Sequence, residues 1–125
     1  MINMFKDRRP DVEAIFEFNY TKTRSVQSGY RPAHLVKEDY LTSGEHCYYE
    51  VERVAPGETA KGTITFISPE SYPHCLWIGK KITLQEGAHI VGYAIITDIY
   101  NPILKAEQEK TTNQRTQGDG SSVFK

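Results

Sequence analysis

Between Val12 and Ile99 apolar residues recur at every second position in short runs, and turn residues break those runs at short intervals. Val12, Ala14, Phe16 and Phe18 alternate with Asp11, Glu13, Ile15 and Glu17. Cys47, Tyr49 and Val51 alternate with Tyr48, Glu50 and Glu52, and Ala60, Gly62, Ile64 and Phe66 alternate with Lys61, Thr63 and Thr65. A period of two puts each set on its own face of a strand. Leu76, Ile78, Ile82 and Leu84 fit a further strand, with Lys80 breaking its apolar face. A short strand runs from Tyr30 to Val36, where Pro32 argues for an edge, a strand start or a bulge. A last, long strand runs from about His89 to Ile99. The punctuation between them is Ser28-Gly29, Ser43-Gly44, Pro56-Gly57, Ser68-Pro69 and Glu86-Gly87. No 3.6-residue pattern is long enough for a core helix. The expected fold is all-β: a small closed antiparallel barrel of Greek-key type with about six strands, or a sandwich of the same strands.

A chain of 125 residues is one domain's worth of sequence and can bury one core without staples. The expected layout is an N-terminal extension over 1–10, the barrel over 11–104, and a polar tail over 105–125. That tail is Glu, Gln, Thr, Asn, Gly and Ser with almost nothing apolar before Val123 and Phe124, and it is expected to be disordered. The first ten residues hold Lys6, Asp7, Arg8 and Arg9 and no apolar run from which a signal peptide could be built. No apolar stretch is long enough to span a bilayer. Cys47 and Cys75 make no disulfide framework, so the expected setting is the reducing cytoplasm, away from membranes.

The last strand is apolar on both faces. Val91, Tyr93, Ile95 and Ile99 line one, and Ile90, Ala94 and Ile96 line the other. Such a strand is covered on both sides. Either Asn101-Pro102-Ile103-Leu104 folds back over it, or the second face meets a partner or another copy of the chain, with Ile90 and Ile96 at the contact.

Four fragments now stand in order with a strand between each pair. They are Tyr30-Arg31-Pro32, then Thr42-Ser43-Gly44 after Glu38-Asp39, then Pro56-Gly57-Glu58 before Thr63-Ile64-Thr65-Phe66-Ile67, and finally Gln85-Glu86-Gly87 before His89-Ile90-Val91-Gly92. This order resembles the C-terminal β-barrel domain of elongation factor Tu and related translational GTPases, over roughly residues 11–99. The resemblance implies a closed barrel that works by surface contact with protein or RNA. It does not bring GTP chemistry. No GxxxxGK[ST] phosphate loop and no Asn-Lys-x-Asp motif occurs in this chain. Ala88-His89-Ile90 also replaces the family's Gly-Arg-Thr. Between Pro69 and Ile82 the chain is longer than the family, and the added length carries Tyr72, Pro73, Cys75 and Trp77.

The formal net charge of -1 gives no global pull toward nucleic acid. It hides a local basic stretch: Lys22, Arg24, Arg31 and Lys37 lie within Tyr20–Lys37, with no acid before Glu38. The resemblance places the loop before Tyr30-Arg31-Pro32 beside a tRNA stem, where contacts with phosphate would be salt-sensitive and sequence-blind. Arg31 has a second reading, an ion pair with Glu13 or Glu38. Trp77 and Tyr72 are candidate protein contacts, since a partly exposed tryptophan anchors many interfaces; alternatively Trp77 plugs the barrel end. His46-Cys47 and His74-Cys75 suggest zinc, but neighbours on a strand face opposite ways, so neither pair readily supplies two ligands. No metal and no cofactor is expected, and Cys47 reads as a small buried hydrophobe. Glu50 and Glu52, two apart on a strand, could pair for acid–base work, although an exposed acidic strand face is far commoner. No nucleophile elbow and no HExxH accompanies them. The functional expectation is a non-catalytic binding module whose partner is a protein, or RNA of the tRNA type. The alternatives are an RNA-binding accessory factor of translation and an immunity or antitoxin-type inhibitor.

Overall fold

The computed structural model describes residues 8–21 and 24–106. Among these residues there are six strands: β1 (Val12–Phe18), β2 (Ala33–Lys37), β3 (Tyr40–Tyr48), β4 (Thr59–Phe66), β5 (Lys81–Glu86) and β6 (His89–Ile99). Single 3-10 turns lie at Pro69–Ser71 and Pro102–Leu104. Every strand pair is antiparallel, and the order β1-β4-β3-β2-β5-β6 closes on itself through β1 and β6. The all-β closed barrel of six strands is therefore the fold. No helix among the described residues is long and apolar enough to cross a membrane.

Period two builds the wall as expected in β1, where Val12, Ala14, Phe16 and Phe18 point inward, and in β4, where Ile64 and Phe66 are fully buried. Pro32 is buried immediately ahead of β2, so it starts a strand and costs no ladder bond within it. Interior side chains fill the barrel, as in other small barrels. Tyr72, Leu76 and Leu104 close the lower end, where β1 and β5 begin and β4 and β6 finish. Val26 and Val54, joined by an isolated bridge, close the upper end.

Three strands depart from the alternation. In β3 the inward set is Thr42, Gly44, His46 and Tyr48, so Cys47 faces solvent instead of the core. Glu50, at φ 59°, turns the chain out of β3, and Glu50 and Glu52 do not share a strand face. The strand expected from Leu76 is shorter. Residues 77–80 form a turn before β5, and Ile78 is exposed.

In β6 the register slips at Val91 and at Thr97, where an extra residue bulges out of the ladder. The bulge at Val91 draws buried residues from both parities: Val91, Ala94 and Ile96 all lie inside. Ile96 is thus a core residue and not an interface one. Between the bulges, Gly92 pairs with Phe18 so closely that a Cβ there would sit 2.2 Å from Glu17 O. The outer residues Tyr93 and Ile95 are half-buried, and the Lys81 ammonium lies 4.6 Å from the Tyr93 ring centre. Residues 101–104 do not cover that outer face. They tie back to residues 74–76 and bury Leu104 in the core. Lys105 continues this pairing with Leu76, so the ordered chain passes residue 104, and the expectation of disorder for 107–125 lies outside the described residues.

Candidate interaction surface

The residues read as basic contacts do not form one patch. Lys22 lies outside the described residues. Arg24 is exposed at the upper end, lining a shallow depression with Gln27 and Tyr30. Arg31 is also near that end, but its guanidinium pairs with Glu45, at 3.0 Å from Nε and 2.9 Å from NH2. The partner is neither Glu13 nor Glu38. Lys37 ends β2 at the lower end, roughly 20 Å from Arg31 at the rise of an extended chain, with its ammonium 5.4 Å from the Tyr40 ring centre. A stretch continuous in sequence is divided because β2 runs the height of the barrel between its parts.

The apolar contacts separate likewise. Tyr72 is fully buried; its ring packs on Phe66 and Tyr40, and its hydroxyl accepts from Thr42 Oγ1 at 2.9 Å. It is a core residue and not an interface one. Ile90 is 40% exposed on the upper hairpin, at the opposite end from Trp77. Trp77 does not plug the barrel: it is 46% exposed, and Ile78 beside it is 54% exposed.

The geometry of that pair is built from four residues. Lys80 N donates to Trp77 O at 3.1 Å, closing a β-turn over Trp77-Ile78-Gly79-Lys80. Gly79 takes φ +93°, the left-handed position that a type II turn needs at its third residue. Gly79 N donates to Ile96 O and Ile96 N donates to Lys80 O, so the turn is pinned to β6. Lys80 fixes it from below. Its ammonium donates to Val36 O at 2.6 Å and to Cys75 O at 2.7 Å and lies 4.5 Å from the Trp77 ring centre. Burial lowers the Lys80 pKa, yet two carbonyls and a ring face suit the cation. Two large apolar side chains are thereby held outward on a rigid support.

Other clusters are tied up among themselves. Glu13 faces out from β1. Its Oε1 accepts from Thr97 Oγ1 at 2.8 Å with Lys61 Nζ at 3.6 Å, and its Oε2 accepts from the Tyr49 hydroxyl at 3.0 Å and that of Tyr100 at 3.4 Å. These bonds, led by Thr97, hold the Glu13 carboxyl below its usual range, while burial and Glu13 push the Tyr49 phenol up. A carboxylate so occupied ties β1 to its neighbours. His74, at φ 60°, turns its Nδ1 onto Lys105 O at 3.0 Å. No group of three or more metal-ligating side chains occurs among the described residues.

Sequence reasoning missed one arrangement. His34, which lies in sequence among the basic residues, and His46, read as half of a His-Cys dipeptide, are both fully buried, with their Nε2 atoms 2.8 Å apart. Inward parity with Val36 and with Thr42, Gly44 and Tyr48 was the signal that could have placed them together.

No protein-family model matches this chain, and no curated protein matches it.

Proposed function

We propose that the protein is a non-catalytic binding module, a barrel resembling the C-terminal barrel of elongation factor Tu, that grips a protein partner with the Trp77–Ile78 turn. The observation that carries this reading is the exposure of Trp77 and Ile78 on a turn braced by Lys80 and β6. An aromatic anchor already held in place loses little rotamer freedom on binding, so more of its burial converts into affinity. The barrel interior is filled with side chains, which leaves the outer surface for recognition. GTP chemistry is no part of the proposal, because the chain carries no phosphate loop.

The test is a pull-down from the source cell's lysate with the full chain, the Trp77→Ala/Ile78→Ser variant and the Ile90→Ser variant. The expected result is a partner kept by the full chain and by Ile90→Ser and lost by the double variant. A partner equally retained by the double variant, or no partner at all, overturns it. Binding to tRNA at low salt that survives the double variant and falls with Arg24→Ala would put the RNA reading in its place.

A further inference from the structure

The barrel is filled mainly by hydrocarbon, but at its centre lies a four-group polar chain. His34 Nδ1 is 3.1 Å from Thr42 O, His34 Nε2 is 2.8 Å from His46 Nε2, and His46 Nδ1 is 2.8 Å from the Tyr48 hydroxyl. A carbonyl only accepts, so His34 Nδ1 carries a proton and donates to Thr42 O. A neutral His34 then has a bare Nε2, which must accept from His46 Nε2–H. That leaves His46 Nδ1 bare, and the Tyr48 hydroxyl donates to it. One tautomer of each ring satisfies every buried nitrogen, and both rings are neutral.

Added protons have nowhere comfortable to go. The first can settle on His46 Nδ1 only if the Tyr48 hydroxyl turns round, and it places a charge where both rings are wholly buried. The second puts two N–H groups head to head across 2.8 Å. Little opposite charge is on hand. From β1 the pair is faced by Phe16, from β4 by Phe66 and from β5 by the Leu84 position; from β3 it is faced by Tyr48, from the loop before β2 by Tyr30, and through Thr42 by Tyr72. The Tyr30 hydroxyl is spent on Glu86. The only buried carboxylate among the described residues, Asp11, is held at the lower end by Arg8, Asn101 and Phe66 N. The rings of Phe16 and Phe66 offer a cation modest compensation, well short of the cost of burying a charge.

The pair also sits at the weakest seam. β2 meets β5 only at Ala33↔Gln85 and His34↔Leu84, while each of the other strand pairs runs further. Below His34 the ladder stops, and the Lys80 ammonium reaches Val36 O in place of a backbone N–H. His34 is therefore the last paired residue of β2 on that edge. A force that pushes His34 from His46 acts on the join with the fewest bonds to resist it.

We propose that the His34–His46 pair is an acid-released latch: proton uptake drives the two rings apart and opens the barrel between β2 and β5. The neutral pair holds the seam shut at neutral pH. Burial lowers the pKa of His34 to about 4 and takes that of His46 well below the ordinary histidine range. The open form takes up protons near the ordinary value, so acid favours it. The latch stands independently of the binding reading. It has a consequence for it, since opening would part Val36 O from Lys80 and loosen the Trp77 turn.

Two measurements on the full chain test it. Imidazole nitrogen NMR at pH 7 is expected to show two neutral rings, His34 as the Nδ1–H tautomer and His46 as the Nε2–H tautomer. A charged ring at pH 7, or the opposite tautomer at His46, overturns the latch. Amide exchange between pH 7 and pH 4.5, corrected for its intrinsic pH dependence, is expected to show loss of protection at Ala33–Val36 and Lys81–Gln85 ahead of β1 and β4. The opening constant should rise by about two orders of magnitude for each ring that takes up a proton. In His46→Gln/Tyr48→Phe, where an uncharged donor still reaches His34, the share of His46 should vanish and only that of His34, about two orders of magnitude, should remain. Equal loss in all strands, or an unchanged rise in the variant, overturns the proposal; should the variant not fold, the wild-type tautomers and the order of exchange decide it.

Discussion

Lys80 is the side chain on which the exposed turn rests. Its ammonium joins Val36 O of β2 to Cys75 O of the loop and lies under the Trp77 ring. Hydrogen bonds to a charged group contribute about 1.5–3 kcal/mol, and part-exposure reduces that here. Lys80→Met keeps the stem and removes the charge, so a loss of roughly 1–2 kcal/mol in urea unfolding is expected, together with a change in Trp77 fluorescence as the ring loses its cation. Unchanged emission would mean that the ring does not rest on Lys80. Tyr72 and Trp77, five positions apart, should respond oppositely. Tyr72→Ala empties a fully buried site and should cost about 3–5 kcal/mol, whereas Tyr72→Phe should cost about 1 kcal/mol for the bond from Thr42. Trp77→Ala should cost under about 1 kcal/mol, mostly the contact with Lys80. The sequence made the two residues look alike because both lie in one aromatic loop; only the fold decides which turns inward.

At the level of the strands, legibility followed the contrast between alternate positions. β1 and β4 set apolar against charged or hydroxyl residues, and their faces could be read directly. β3 could not, because Cys47, Tyr48, Tyr49 and Val51 are apolar on both parities; its inward face is set by Tyr48 and by a histidine that is acceptable inside only because His34 meets it. β6 defeated the alternation differently, since the bulges at Val91 and Thr97 shift parity within one strand and a two-residue pattern has no sign for an inserted residue. A glycine inside a strand, as at Gly92, marks close backbone approach, and its test belongs to the strand pair. Gly92→Ala sets a Cβ 2.2 Å from Glu17 O, a backbone atom that cannot swing aside. Separating β6 from β1 should cost about 2–3 kcal/mol, which lowers the melting temperature by roughly 8–12 °C in a domain of this size. A melting temperature within about 2 °C of wild type would mean that the two strands lie further apart than this register places them.

Across the whole molecule the acid response joins these levels, because the groups with lowered pKa values act in separate windows. His34 titrates near 4 when folded, against about 6.5 in the unfolded chain. The unfolded state therefore binds more protons between those values, and stability falls as pH drops through that range. Integrated over the window, His34 accounts for a loss on the order of 3 kcal/mol, and His46 shifts in the same direction. Glu13 works lower down. Its carboxyl is held below its usual range by Thr97 and Tyr49, so its share of the stability is present above about 4.5 and disappears only below that. Urea midpoints taken at pH 7, 6, 5 and 4 should thus decline already between pH 6.5 and pH 5, before carboxylates contribute, and decline faster below. In His46→Gln/Tyr48→Phe the first decline should become shallower by the share of His46, while that of His34 and the second decline remain. A wild-type curve level down to pH 5 would mean that the two rings are not buried neutral, and the barrel would then owe its acid sensitivity to surface carboxylates such as Glu13 alone.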